Sequence, residues 1–385
     1  MKRTLKTTLI GGALAMAVTS PLMAAEVTSM NQAREELARG IASITNDPAF
    51  DASLREQMSK GKASLSDVLR SYGEAGTQAR DRVTHDLRDL ERQAIRLRGL
   101  DGALDALIDI RVHGVDKDQP ATSVRGFWTA TISKDPTTGE KQVLAYDADG
   151  KERRFSLDAV PNVPMLIVES DSGAAIRAGT TVMNQVLSEH GVAAGLNLLP
   201  TSRDNAGTEQ LTLLQSIRLE ADHEPNIQGD AEIFAIVSGV SPEGKAQLVT
   251  KDMPWLDHDK RWYKPGMDLI NWTDYGTNYV NVQFFEEDGD TNFKELAVAV
   301  VKAVGTVATI VSPGAPPALV VAGVSKVAEE ILKAMDSRWF QNDADYVDSF
   351  YVIERGGTYG SDEKPLVGAR GEAKMVLAPY EVKGQ

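Results

Sequence analysis

Tyr279-Val280-Asn281-Val282-Gln283-Phe284-Phe285-Glu286-Glu287-Asp288-Gly289-Asp290 is the stretch that decides how this chain reads. Val280, Val282 and Phe284 alternate with Asn281 and Gln283, the period of two expected of an antiparallel strand with one buried and one wet face. The strand then ends in carboxylates around a glycine. Working outward, similar runs occur at Leu211 to Leu219, Glu232 to Val240, Ala246 to Val249, Asp348 to Ile353 and Ala373 to Leu377. Short strands separated by turn residues predict an antiparallel β-sandwich over 211–385.

Carboxylates gather where these strands begin and end. Asp222, Glu224 and Asp230 precede one strand, Glu287, Asp288 and Asp290 follow another, and Asp343 and Asp345 precede a third. With 55 acids in 385 residues, about eight acid-x-acid pairs arise by chance, so position at strand ends carries the argument and pairing does not. Like charges brought together at the end of a sandwich need a cation or a proton to coexist. Calcium, which takes six to eight oxygens from flexible loops, is the ion expected at these eight residues. Asp147-Ala148-Asp149-Gly150 reads as a tight turn instead, because no Glu follows the Gly at the spacing an EF-hand loop requires.

Gly229-Asp230-Ala231-Glu232-Ile233-Phe234, Asp252-Met253-Pro254-Trp255-Leu256-Asp257, Asp290-Thr291-Asn292-Phe293 and Trp339-Phe340-Gln341-Asn342-Asp343-Ala344-Asp345-Tyr346-Val347-Asp348 together resemble a family of secreted bacterial proteins, the domain of unknown function 3103. The resemblance is stronger over the C-terminal part than over the N-terminal part. It implies secretion and a fold, and supplies no catalytic residue. In their acidic loops these segments are also loosely similar to C2-type calcium sandwiches, without the basic lipid-binding strand of those domains.

Between two of the acidic segments lie two apolar helical patterns, Leu296, Val300, Val304, Val307 and Val311, then Val320, Val324, Val327 and Ile331, joined by Pro313-Gly314-Ala315-Pro316-Pro317. A helical hairpin over 295–335 is expected, since proline does not continue the first helix. Packing against the sandwich is the favoured role. A membrane-active toxin using this hairpin is the alternative, disfavoured by the short first helix and by Lys302, Lys326, Glu329, Glu330 and Lys333.

N-terminal to the sandwich, apolar residues recur every three or four positions from Met30 to about Ile110, and Asp47-Pro48 and Tyr72-Gly73 to Gly76 divide the pattern into three or four helices. Strands follow at Ile108 to Val112, Gly126 to Ile132, Val143 to Tyr146, Arg153 to Leu157 and Val163 to Val168, with a short helix around Thr181 to Ser188. The expected division is thus a signal peptide at 1–25, a helical region at 26–105, a β-rich α+β region at 106–198, a linker at 199–210 and the C2-like sandwich with its hairpin at 211–385, an α+β chain overall.

The beginning of the sequence carries a basic start (Lys2, Arg3, Lys6), an apolar run from Leu9 to Val18 and small residues up to Ala25, the order of a secretory signal. Export to the periplasm or the medium is expected. No cysteine is present, which excludes a disulfide framework, a thiolate metal site and a cysteine nucleophile. Loss of Lys2, Arg3 and Lys6 with the signal takes the formal charge from −14 to −17, a poor match for nucleic acid. His-Glu-x-x-His, Gly-x-Ser-x-Gly and the phosphate loop are absent. Asp222-His223-Glu224 and Asp257-His258-Asp259 read as polar loops before they read as zinc sites, and Trp255, Trp262, Tyr263, Trp272, Tyr275 and Tyr279 as a cap on the core before a sugar platform. The sequence therefore points to a secreted, calcium-stabilised binding or structural protein whose partner is a protein or cell-surface ligand; a hydrolase with an unrecognised carboxylate site is the remaining alternative.

Overall fold

A computed structural model of the chain describes residues 26–58, 61–74, 76–115, 122–135, 137–192, 208–220, 233–287, 289–305, 315–336 and 346–383. The N-terminal helices are α1 (Met30–Ala42), α2 (Pro48–Gln57), α3 (Leu65–Glu74) and α4 (Gln78–Leu97), with a three-residue strand β1 (Lys62–Ser64) between the second and third. Their starts follow from local chemistry. Ser29, Asp47 and Thr77 each accept a backbone N–H of the first turn, and Pro48 supplies its fixed φ at the first helical position.

Strands β2 (Ile108–His113), β3 (Trp128–Lys134), β4 (Lys141–Tyr146), β5 (Glu152–Ser156) and β6 (Met165–Ser170) complete a six-stranded sheet of order β1-β2-β6-β3-β4-β5. All its pairings are antiparallel except β3 with β6. The turn Asp147 to Gly150 closes the β4–β5 hairpin, with the Asp147 carboxylate accepting from Asp149 and Lys151 N–H and Gly150 at φ +78°. Helix α1 lies against β3, β4 and β6 and α3 against β1 and β2, with α4 packed on both helices, so residues of the helical region and of this sheet share one hydrophobic cluster.

Helix α5 (Ser172–Glu189) is longer than the sequence pattern suggests and starts where the Asp171 side chain accepts from Ala174 N–H. After it come β7 (Glu209–Leu219), β8 (Ile233–Val240), β9 (Ala246–Met253), β10 (Met267–Asn271), β11 (Tyr279–Glu286), helices α6 (Phe293–Gly305) and α7 (Pro317–Asp336), then β12 (Tyr346–Glu354), β13 (Leu366–Val367) and β14 (Ala373–Val382). They form two four-stranded sheets, an outer one of order β10-β7-β14-β13 and an inner one of order β12-β11-β8-β9. Leu214, Ile217, Met375 and Leu377 from the outer sheet and Val237, Val282, Phe284 and Phe350 from the inner sheet belong to a single cluster between them. Trp272 and Tyr275 are part of that core, with Trp255 and Tyr263 packed against it.

The other face of the inner sheet carries α5 and α7, with α6 packed against both helices. Strand β8 is accordingly buried along its whole length, as its continuous apolar run Ile233-Phe234-Ala235-Ile236-Val237 demands. Here the structure departs from the sequence expectation, because Asn281 and Gln283 of β11 do not face water. Both are buried beneath α7, where their amides donate to the Val324 carbonyl at 2.8 Å and the Ala328 carbonyl at 3.3 Å. Hydrogen bonding to a helix backbone lets a polar alternation occupy a covered face. The segment 306–314 that would join α6 to α7 in a hairpin, and most of the expected linker, lie outside the described residues.

Candidate functional site

Strand register brings the starts and ends of several strands to one end of the inner sheet. Glu286 of β11 pairs with Ile233 of β8, Phe285 of β11 with Tyr346 of β12, and Ile233 in turn with Met253 of β9. Neighbouring strands are about 4.8 Å apart, so these four chain positions lie side by side. The segment 254–263 then crosses to the outer sheet at the same end, where Lys260 N–H donates to the Leu219 carbonyl at 2.7 Å. Within it the Tyr263 hydroxyl donates to Asp257 at 2.6 Å, and Lys260 pairs with Asp259 at 2.9 Å. Among the described residues no three His, Cys, Asp or Glu are grouped closely enough to hold a metal ion.

Of the eight carboxylates predicted as calcium ligands, Asp222, Glu224, Asp230, Asp288, Asp343 and Asp345 lie outside the described residues. Glu287 and Asp290 are described, and each meets protein cations. Arg98, at the end of α4, is fully buried. Its Nε donates to the Thr291 carbonyl at 2.8 Å and its Nη1 to the Gly289 carbonyl at 3.0 Å. Its Nη2 lies 2.9 Å from Glu287 Oε2, a charge contact without hydrogen-bond alignment. The guanidinium also sits 5.3 Å over the Phe293 ring, and the Arg98 carbonyl accepts from Phe293 N–H. Glu287 turns its other oxygen back on its own loop, accepting from Gly289 and Thr291 N–H at 2.7 and 3.2 Å. Gly289 holds φ +82°, a conformation that costs glycine little, and its carbonyl accepts a second guanidinium, from Arg34 at 3.1 Å.

Asp290 completes the arrangement. Arg34 of α1 approaches it at 2.9 Å and Lys134 of β3 at 3.3 Å. Burial by itself raises this carboxyl, but the two cations outweigh it and hold Asp290 below the usual carboxylate range. The loop after β11 is therefore a clasp. Three cations from the N-terminal helices and the six-stranded sheet grip two carboxylates and two carbonyls from the C-terminal half. No sequence pattern announced Arg98. The only local sign is its place beside Gly99, whose φ of +66° ends α4 and lets Asn292 and Lys294 approach.

A depressed folded-state value means that Asp290 contributes stability at pH values above its ordinary one, about 3.9, and that this contribution is lost as pH falls through the lower folded value. Urea unfolding at pH 7 and at pH 3 should therefore differ less for Asp290→Asn than for the unaltered protein. An unchanged difference would remove Asp290 from the acid response.

A family model described as "Protein of unknown function (DUF3103)" matches residues 34–385. Comparison with curated proteins and with solved structures gives no match.

Proposed function

The chain belongs to the DUF3103 family, and from that starting point we propose that it is an exported, calcium-stabilised protein that binds or scaffolds a protein or cell-surface ligand. The observation that carries the calcium half is the strand register. The segments holding Asp222, Glu224 and Asp230, Asp288, and Asp343 and Asp345 depart from the start of β8, the end of β11 and the start of β12, which are neighbours at one end of the inner sheet. Loops from adjacent strand ends are a natural source of the several oxygens calcium takes. Glu287 and Asp290 already have Arg98, Arg34 and Lys134 as partners, so the proposed ligand set narrows to the other six. The export half rests on the order of basic, apolar and small residues in 1–25. No helix among the described residues is long and apolar enough to cross a membrane.

Thermal unfolding of the exported form tests both halves, with mass spectrometry first locating its N-terminus at Ala25 or Glu26. A ligand that binds only the folded state adds about 2.7 kcal/mol at a hundredfold excess over Kd. Millimolar calcium should raise the melting temperature and EDTA should lower it, while magnesium, which demands a tighter octahedron, should substitute poorly. Asp343→Asn should abolish most of the shift, and Asp149→Asn, in the β4–β5 turn, should keep it. A melting temperature indifferent to calcium, or a full shift in Asp343→Asn, defeats the calcium assignment; an intact Met1 on the secreted chain defeats the export assignment.

A further inference from the structure

The interface beneath α7 is divided along its length. Toward its C-terminal end, Val327, Ile331 and Met335 join the large cluster that also holds Phe234, Phe285 and α6. Toward its N-terminal end, Val320 and Val324 share only a small separate cluster with Val240, flanked by Tyr279 and Ala315, and Leu319 is exposed. The sheet beneath this first half presents Ser238, Asn281 and Gln283, all buried. Ser238 Oγ and Gln283 Oε1 have no hydrogen-bond partner among the described residues. A buried polar atom so placed gains on reaching water, which favours an interface here that can open.

Asn281 does double duty at this seam. Its amide nitrogen donates to the Val324 carbonyl, and its oxygen accepts from the N–H of Val352 in β12 at 2.9 Å. Val352 stands at φ +58°, a genuine outlier for a β-branched residue, beside a register shift in the β11–β12 pairing. The amide that fastens α7 thus also braces a strained bulge on the edge strand, so two features with stored cost meet at one side chain.

We infer that the first half of α7, Pro317 to Lys326, is a hinged cover that lifts from the inner sheet while the second half, from Val327 onward, stays packed. Lifting rewets Ser238 and Gln283 and exposes little apolar sheet surface, because Asn281, Gln283 and Ser238 replace the aliphatic side chains that line the sandwich side of the same strands. The second half stays because leaving would expose Val327, Ile331 and Met335 together with their partners in the large cluster. The outward face, with Lys326 and Lys333 paired to Glu329 and Glu330, is solvated in either position.

The absence of cysteine makes a direct test possible. Ser238→Cys places a near-isosteric thiol under the cover, and Val237→Cys places one on the opposite face of the same strand, inside the sandwich. In native buffer with an aromatic disulfide reagent, the first should label about tenfold faster or more, with a rate that barely rises with low urea; the second should label only through global opening and rise steeply with urea. Equal rates with equal urea dependence would overturn the hinged cover. If Val237→Cys fails to fold, Val282→Cys serves as the interior thiol. Native-state amide exchange on the unaltered protein gives an independent reading: amides of 320–326 should exchange faster than those of 280–285, and matched protection would count against the inference.

Discussion

Replacing Arg98 with methionine is expected to lower stability by about 3–5 kcal/mol, the usual cost of removing one member of a buried ion pair. The guanidinium is fully enclosed and answers the Glu287 carboxylate together with the carbonyls of Gly289 and Thr291. Methionine keeps much of the apolar stem but leaves the Glu287 carboxylate and the Thr291 carbonyl short of a partner, the Gly289 carbonyl keeping Arg34, and desolvation without compensation is what makes such losses large. Arg98→Lys should recover little, because an ammonium does not span the three directions that the planar fork reaches. Adding Glu287→Leu to Arg98→Met should restore part of the loss, since the uncompensated charge disappears; the Thr291 carbonyl, deprived of its guanidinium, keeps the recovery incomplete. Urea unfolding curves measure all four proteins. A loss under about 1 kcal/mol for Arg98→Met would mean that water reaches the clasp and that Arg98 adds little to the joining of the two halves.

The clasp also marks the limit of what the residues disclose by themselves. Periodicity located β8, β11, β12 and β14 because their apolar residues alternate or run continuously, and those patterns depend on burial alone. It also separated the N-terminal helices at Asp47-Pro48 and near Gly76, where cap and glycine chemistry is local. What it missed is set by partners distant in the chain. Helix α5 was expected only from Thr181 because Gly173 and Gly179 weaken the helical signal, yet Gly179 is there for α6: a Cβ at that position would lie 2.4 Å from the Phe293 ring. Strand β10, five residues following Pro265-Gly266, was too short to stand out from the aromatic loop that precedes it. For Asn281 and Gln283 the period was right and the environment was not, since no local signal tells a wet face from one roofed by a helix. Glu287 and Asp290 stood out as acids at a strand end, but Arg34 and Arg98 are about two hundred residues or more away in sequence, beyond the reach of any spacing rule.

Val300→Asp is expected to prevent stable folding of the C-terminal half, at a cost of several kcal/mol. Val300 lies in the middle of α6, buried within the cluster that also contains α5, the second half of α7 and the N-terminal helices. A carboxylate there would sit among apolar side chains, in the interior of a packed helix. Val324→Asp makes the informative comparison. Val324 is as fully buried, but it sits in the small cluster under the first half of α7, whose other buried members are Val240 and Val320. If that half lifts from the sheet, the new charge escapes burial by opening the cover, and the loss cannot exceed the free energy of that opening. Circular dichroism and urea unfolding should then show a folded Val324→Asp protein of modestly reduced stability beside an unfolded or aggregated Val300→Asp protein. Two equally ruined proteins would place the whole of α7 in the cooperative core, and the polar seam beneath it would then be a fixed cost of the fold.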